Sequence, residues 1–202
     1  HRPAPTTSPM AYDPKQHHRH SIRLKDFDYS SAGAYFVTIC VHRGQCFLGQ
    51  INDNAMNLSI LGTIVVECWE DLPNHYSRVI LDAFVVMPNH VHGVVVLEDN
   101  SASEESNSGQ EEKRAGYKPA PTKPHSVSEI IRGFKTFSAK RINEIKNTQG
   151  VPFWQRNYYE HIIRNERAYI AIRDYILNNP ANWDKDQLHP GAPANQFNRH
   201  WR

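Results

Sequence analysis

The chain has little that would staple or anchor it. Only three cysteines, Cys40, Cys46 and Cys68, occur in 202 residues. Their number is odd and no C-x-x-C is present, which argues against a disulfide framework or a zinc–thiolate centre and suits a reduced, cytoplasmic protein. No apolar run approaches the roughly 18–20 residues of a membrane-crossing helix. The first residues are polar and proline-rich and do not read as a secretory leader. Glycine is scarce, at ten residues, and none forms a phosphate-cradling loop of the P-loop or dinucleotide type. The length fits one domain with decorations, or at most two small ones.

Net charge is low at +2, but the charges are unevenly spread. Glu98 to Glu112 holds six acids and no Lys or Arg, so setting it aside leaves 23 basic residues against 15 acidic ones (21 less six), a net of +8. A basic folded part suits a polyanionic partner such as nucleic acid, although many basic domains bind nothing anionic.

Residues 1–20 read as a disordered N-terminal arm rich in Pro, Thr and His. The aromatic, β-branched run Ala34–Arg43 predicts a strand. Apolar residues at helical spacing predict a helix over Leu58–Leu72, stopped by Pro73. Two strands follow, Val79–Met87 and Val91–Leu97, with Pro88-Asn89 as the break. A Ser/Glu/Gly/Pro-rich stretch at about 99–124 reads as a flexible insertion. Ser126–Ile145 predicts a helix with a capping box of Ser126 and Glu129, and its polar face carries Arg132, Lys135, Lys140 and Arg141. Phe153–Ile163 predicts a last strand and Glu166–Asn178 a last helix, followed by a polar tail. The order β-α-β-β-α-β-α points to an α+β fold, a ferredoxin-like sandwich with a central antiparallel sheet and helices packed on it.

The chemistry centres on His90-Val91-His92. On a strand these two imidazoles share one face and can chelate one metal ion, although such a pair in an apolar run also serves as core packing. Pro88 interrupts the ladder just before them. On the last helix Tyr175 and Asn179 lie four residues apart, one above the other. Asn179 offers a carbonyl oxygen as a third ligand and Tyr175 a phenol that can act as a nucleophile. Alone, the pair reads equally as a packed aromatic and a C-terminal cap ahead of Pro180. Of the nearby aromatics, Phe153 and Trp154 read as core, while Tyr158 and Tyr159 are candidates to stack on unpaired bases.

These blocks resemble a known family. Pro88-Asn89-His90-Val91-His92 looks like the His-hydrophobic-His motif of HUH single-strand endonucleases. Together with Trp154-Gln155-Arg156-Asn157-Tyr158-Tyr159-Glu160-His161, Asp174-Tyr175-Ile176-Leu177-Asn178-Asn179-Pro180 and Tyr35-Phe36-Val37-Thr38, it resembles the REP-associated tyrosine transposases over about residues 21–183, leaving 184–202 as a tail. The resemblance implies that Mg²⁺ or Mn²⁺ is held by His90, His92 and Asn179. It implies that Tyr175 attacks single-stranded DNA at hairpins of repetitive extragenic palindromes and keeps the 5′-phosphate. DNA contacts are expected from Arg132, Lys135, Lys140, Arg141, Arg156 and Arg164. It leaves open whether the protein works as a monomer or a homodimer, and suggests a cytoplasmic, nucleoid-associated location. Two other functions compete: a non-catalytic hairpin-binding protein, and a hydrolase of small phosphate esters that uses water in place of Tyr175.

Overall fold

A computed structural model of the chain describes residues 27–99, 124–193 and 195; the N-terminal arm expected at 1–20 and nearly all of the insertion expected at 99–124 lie outside them. Strand β1 (Gly33–Cys40) is followed by a short hairpin of β2 (Gly49–Asn52) and β3 (Ala55–Leu58), then by helices α1 (Ile60–Glu70) and α2 (Leu72–His75). Strands β4 (Val79–Val86) and β5 (His90–Leu97), helix α3 (Val127–Lys146), strand β6 (Tyr159–Ile163) and helix α4 (Glu166–Asn178) complete the regular elements, with a 3₁₀ turn at Pro180–Lys185.

The main sheet has the order β4-β5-β1-β6, and every neighbouring pair is antiparallel. This is the ferredoxin-like connectivity, two strand–helix–strand units interleaved in one sheet. Alternation along β1 divides the protein into layers. Tyr35, Val37, Ile39 and Val41 face one core with Trp69 of α1 and Phe134 of α3, whereas Phe36 faces the other side with Val94 of β5 and Ile176 of α4. A helix layer therefore covers each face of the sheet. Among the described residues no helix is long and apolar enough to cross a membrane.

Several expected boundaries move for local reasons. Strand β1 stops at Cys40, because the Val41 N–H turns to the Asn89 carbonyl and His42–Gly44 forms a 3₁₀ turn with Arg43 at φ 56°. The first helix begins only after Ser59, whose side chain caps Gly62 N, and Pro73 opens the short α2 rather than ending the chain's helical course. The β2–β3 hairpin, unassigned from sequence, turns through Asp53 (φ 51°) and Asn54 (φ 61°), the pair of positive φ values that a tight two-residue hairpin needs. The last strand starts at Tyr159 instead of Phe153, since Phe153 and Trp154 leave the ladder to enter the core and Trp154 makes only an isolated bridge to Val41. Helix α3 carries the expected capping box, with Ser126 and Glu129 bonded reciprocally, and α4 spans its predicted limits.

Gly93 is where the sheet and α1 meet most closely. A Cβ there would lie 2.4 Å from the Trp69 ring, which stacks on Phe84 at 4.5 Å. Gly93→Ala is expected to destabilise the fold by about 1–3 kcal/mol through overpacking, read as a lower urea midpoint with unchanged slope.

Candidate metal and nucleophile site

On the α4 face of the sheet, β5 presents His90 and His92 from adjacent inward positions, and both are buried. Their Nε2 atoms stand 3.0 Å apart. The surrounding hydrogen bonds assign the first proton. Asn89 directs its amide N–H₂ at two carbonyls, Gly44 (3.3 Å) and Leu188 (2.7 Å), so its Oδ1 faces His90 Nδ1 at 2.8 Å. An amide oxygen only accepts, hence His90 carries its proton on Nδ1 and a lone pair on Nε2. His92 Nδ1 lies 2.8 Å from the Thr38 hydroxyl on β1, a group able to donate or accept. In the absence of a cation His92 Nε2–H donates to His90 Nε2; with its proton on Nδ1 instead, donated to Thr38, both Nε2 lone pairs converge on one point.

Burial keeps both imidazoles neutral. It holds His90 well below the usual histidine range, helped by the neighbouring His92, and it lowers His92 to about 3. Neutral imidazoles are the ligating form. Asp186, with a side chain only 4% exposed, places Oδ2 3.8 Å from His90 Nε2. His90, His92 and Asp186 thus form a cluster that could hold a metal ion, their ligand atoms all within 4.8 Å of one another. Burial raises the Asp186 pKa, against the Leu188 N–H that it accepts.

Helix α4 brings the other two residues. Asn165 caps its start by accepting from Ala168 N, and Asn179 is its C-cap in helical geometry. The Tyr175 hydroxyl lies 3.2 Å from His92 Nε2, and its ring meets Phe36 edge-on. Burial and the Asp186 charge push Tyr175 up to about 12, while the Asn179 side chain works the other way. Asn179 is 3% exposed, and its Oδ1 is buried with no hydrogen-bond partner among the described residues. A buried orphan carbonyl, two neutral imidazoles and a carboxylate are a donor set that fits a divalent cation. As a test of the hydroxyl's role, Thr38→Val is expected to lower metal affinity by roughly 10–100-fold, since partners of ligating histidines have effects of that size; titration calorimetry with Mn²⁺ on the folded variant reads it.

His90, His92, Tyr175 and Asn179 are therefore gathered at one place. The six basic residues are not. Arg132, Lys135 and Arg156 line a cleft of about 450 Å³ between α3 and the segment before β6. Lys135 donates to the Gln155 and Arg156 carbonyls, and its burial there lowers its pKa to about 8; it fastens that segment. Lys140 and Arg141 line a second cleft of about 270 Å³, where Arg141 pairs with Glu67 at 2.5 Å. Both clefts lie on α3, across the sheet from Tyr175. Arg164 is exposed between β6 and α4. Phe153 and Trp154 are buried, and the Trp154 indole N–H donates to Ser138. Asp186, Asn89 and Thr38 carry no assigned role in the sequence reading. Asp186 sits in a segment whose local composition reads only as polar tail, and nothing short of the fold joins it to His90.

The fold class can be matched to a solved one. The chain aligns with the structure of a REP-associated tyrosine transposase bound to a REP hairpin, with a TM-score of 0.51 and 18% identity over 80% of this chain and 74% of that one; at that identity the likeness concerns the fold. No protein-family model matches. The chain belongs to the same family as an uncharacterised protein of Haemophilus influenzae, 40% identical over 178 residues that span 88% of this chain and 97% of the relative.

Proposed function

We propose that the protein is a tyrosine transposase of the HUH type, a metal-dependent endonuclease and strand transferase acting on single-stranded DNA hairpins through a covalent 5′-phosphotyrosine on Tyr175. One observation carries this reading: the Tyr175 hydroxyl stands 3.2 Å from Nε2 of His92, which faces His90 in a buried, neutral pair. His90 and His92 supply two ligands to Mg²⁺ or Mn²⁺, and Asn179 or Asp186 the third. Mixed nitrogen and oxygen donors favour Mn²⁺ over Mg²⁺. When bound, the cation polarises a non-bridging oxygen of the scissile phosphate.

The Tyr175 oxygen attacks phosphorus, and as the new O–P bond forms its proton passes to water, which returns one to the departing 3′-oxygen. The bond to the 3′-oxygen breaks, a 3′-OH departs, and the 5′-phosphate stays on the tyrosine. Attack by another 3′-OH reverses these steps and joins strands with no nucleotide cofactor. Arg132, Lys135, Lys140, Arg141, Arg156 and Arg164 are the candidate DNA contacts, with Lys135 acting through the segment it holds. The hairpin bound by the fold relative makes a repetitive extragenic palindrome the first substrate to try, and a cytoplasmic, nucleoid-associated location is part of the proposal. It is offered as a monomer or homodimer around a domain of about residues 21–183. The test is a denaturing gel of protein with labelled hairpin DNA and Mn²⁺ or Mg²⁺: a shifted band that depends on Tyr175 supports the reading. A salt-sensitive native complex with no such band would support a non-catalytic hairpin-binding protein instead.

A further inference from the structure

We infer that Asp82, carried on a bulge of β4, is the positioning residue for the helix that presents Tyr175; the inference rests on Tyr175 being the nucleophile. Helix α4 has little apolar hold on the sheet. Of its 13 residues only Ile176 is buried, with Tyr169 and Ile172 packed partly against it. With one fully buried residue, two partly buried ones and the Tyr175 ring on Phe36 as its apolar contacts, the helix leaves room for polar contacts to fix its rotation.

Two α4 side chains one turn apart converge on one carboxylate oxygen. The Tyr169 hydroxyl donates to Asp82 Oδ2, and Arg173 Nε lies 3.2 Å from the same atom. The hydrogen bond to Asp82 raises the Tyr169 pKa, in keeping with a firmly held phenol. Asp82 reaches them because β4 is irregular at this point. Leu81 pairs with Val95 and Phe84 with Gly93, so Asp82 and Ala83 together oppose Val94 alone. That is a β-bulge, a device that re-aims side chains. Ala83 packs in the α4-side core, while Phe84 returns to the other face to stack on Trp69. The extra residue thus serves both layers: it keeps the Trp69 stack and aims a carboxylate at α4.

Tyr175 follows Arg173 by two residues. A rotation of α4 by about 10° moves an atom about 6 Å from its axis by about 1 Å, and a misplacement of that size can cost about 10²-fold in rate. The Arg173–Asp82 pair is half exposed at the arginine, at 47%, so it contributes little to global stability. The expected signature is a large effect on rate beside a small one on folding.

The experiment uses the full chain and the variants Asp82→Ala, Asp82→Asn, Tyr169→Phe and Arg173→Met. It measures adduct formation at saturating hairpin DNA and Mn²⁺, hairpin affinity, and hydrogen exchange of the α4 amides. Asp82→Ala is expected to slow adduct formation by about 30–100-fold, leave hairpin affinity within about threefold, and speed exchange in Glu166–Asn178 but not in β1 or β5. Asp82→Asn, which keeps an acceptor oxygen, should recover part of the rate. The losses from Asp82→Ala and Arg173→Met should not add, because they remove one shared contact. Unchanged rate, or loss confined to DNA affinity, overturns the inference. If the unmodified protein forms no adduct, exchange decides alone: faster α4 exchange keeps Asp82 as the helix anchor while the nucleophile assignment falls, and unchanged exchange overturns the anchor as well.

Discussion

Tyr175→Phe is expected to abolish the covalent protein–DNA band altogether while leaving hairpin affinity within about threefold, since only an interaction made in bond formation is removed. The substitution deletes one oxygen. That oxygen touches His92 Nε2 at 3.2 Å, and the ring's packing on Phe36 is retained. Tyr175 is 48% exposed, so the fold should tolerate the change, and a thermal melt within a few degrees of the parent would confirm that. Four other tyrosines are near in sequence or space, and the structure ranks them by surroundings. Tyr169 is engaged with Asp82, and Tyr158 donates to Glu160 at 2.5 Å. Tyr159 stands edge-on to Phe36 from β6, and Tyr35 is wholly buried. An adduct that persists in the Tyr175→Phe variant would shift the assignment to Tyr159, the remaining tyrosine on that face; mass spectrometry of the linked peptide would locate it.

The second large effect concerns the cation. His90→Ala, or chelation of the parent protein, is expected to reduce adduct formation by about 10³-fold, because a divalent cation at a phosphoryl oxygen contributes several kcal/mol of transition-state stabilisation. Hairpin binding on native gels should remain. His90 is the more demanding of the two positions: it is fully buried, and its Nδ1–H satisfies Asn89, which in turn ties Gly44 and Leu188 together. His92→Ala should give the same chemical loss with less structural cost. The third ligand follows from the same assay, by comparing Mn²⁺ affinity in Asn179→Ala and Asp186→Ala. Adduct formation that survives rigorous chelation would remove the metal from the reading.

Much of this arrangement can be read without coordinates, because it depends on local rules. Alternation along β5 places His90 and His92 on one side of a strand, and helical spacing stacks Tyr175 over Asn179. Pro180 follows α4 close to its observed end, and Ser126 with Glu129 starts α3 where a capping box should. The four-strand antiparallel sheet follows from the order of these elements. What sequence reasoning blurred were segments whose conformation is set by distant partners: Phe153 and Trp154 look like strand but are drawn into the core, and the β2–β3 hairpin has strands too short to announce themselves.

The sequence by itself determined the class of fold, the paired imidazoles, and the tyrosine and amide aligned on one helix, since periods of two and 3.6 residues are properties of the local chain. Only the tertiary structure decided that these two pairs meet on the same face of the sheet. It alone seats Asp186 against His90, makes Asn89 the partner that sets the His90 proton and Thr38 the partner of His92, and separates the basic residues of α3 from Tyr175 by the thickness of the sheet. It alone supplies the β4 bulge that brings Asp82 to α4. Each of these is a contact between residues far apart in the chain. Such contacts are fixed by which faces must be buried together, and no short stretch of sequence contains that information.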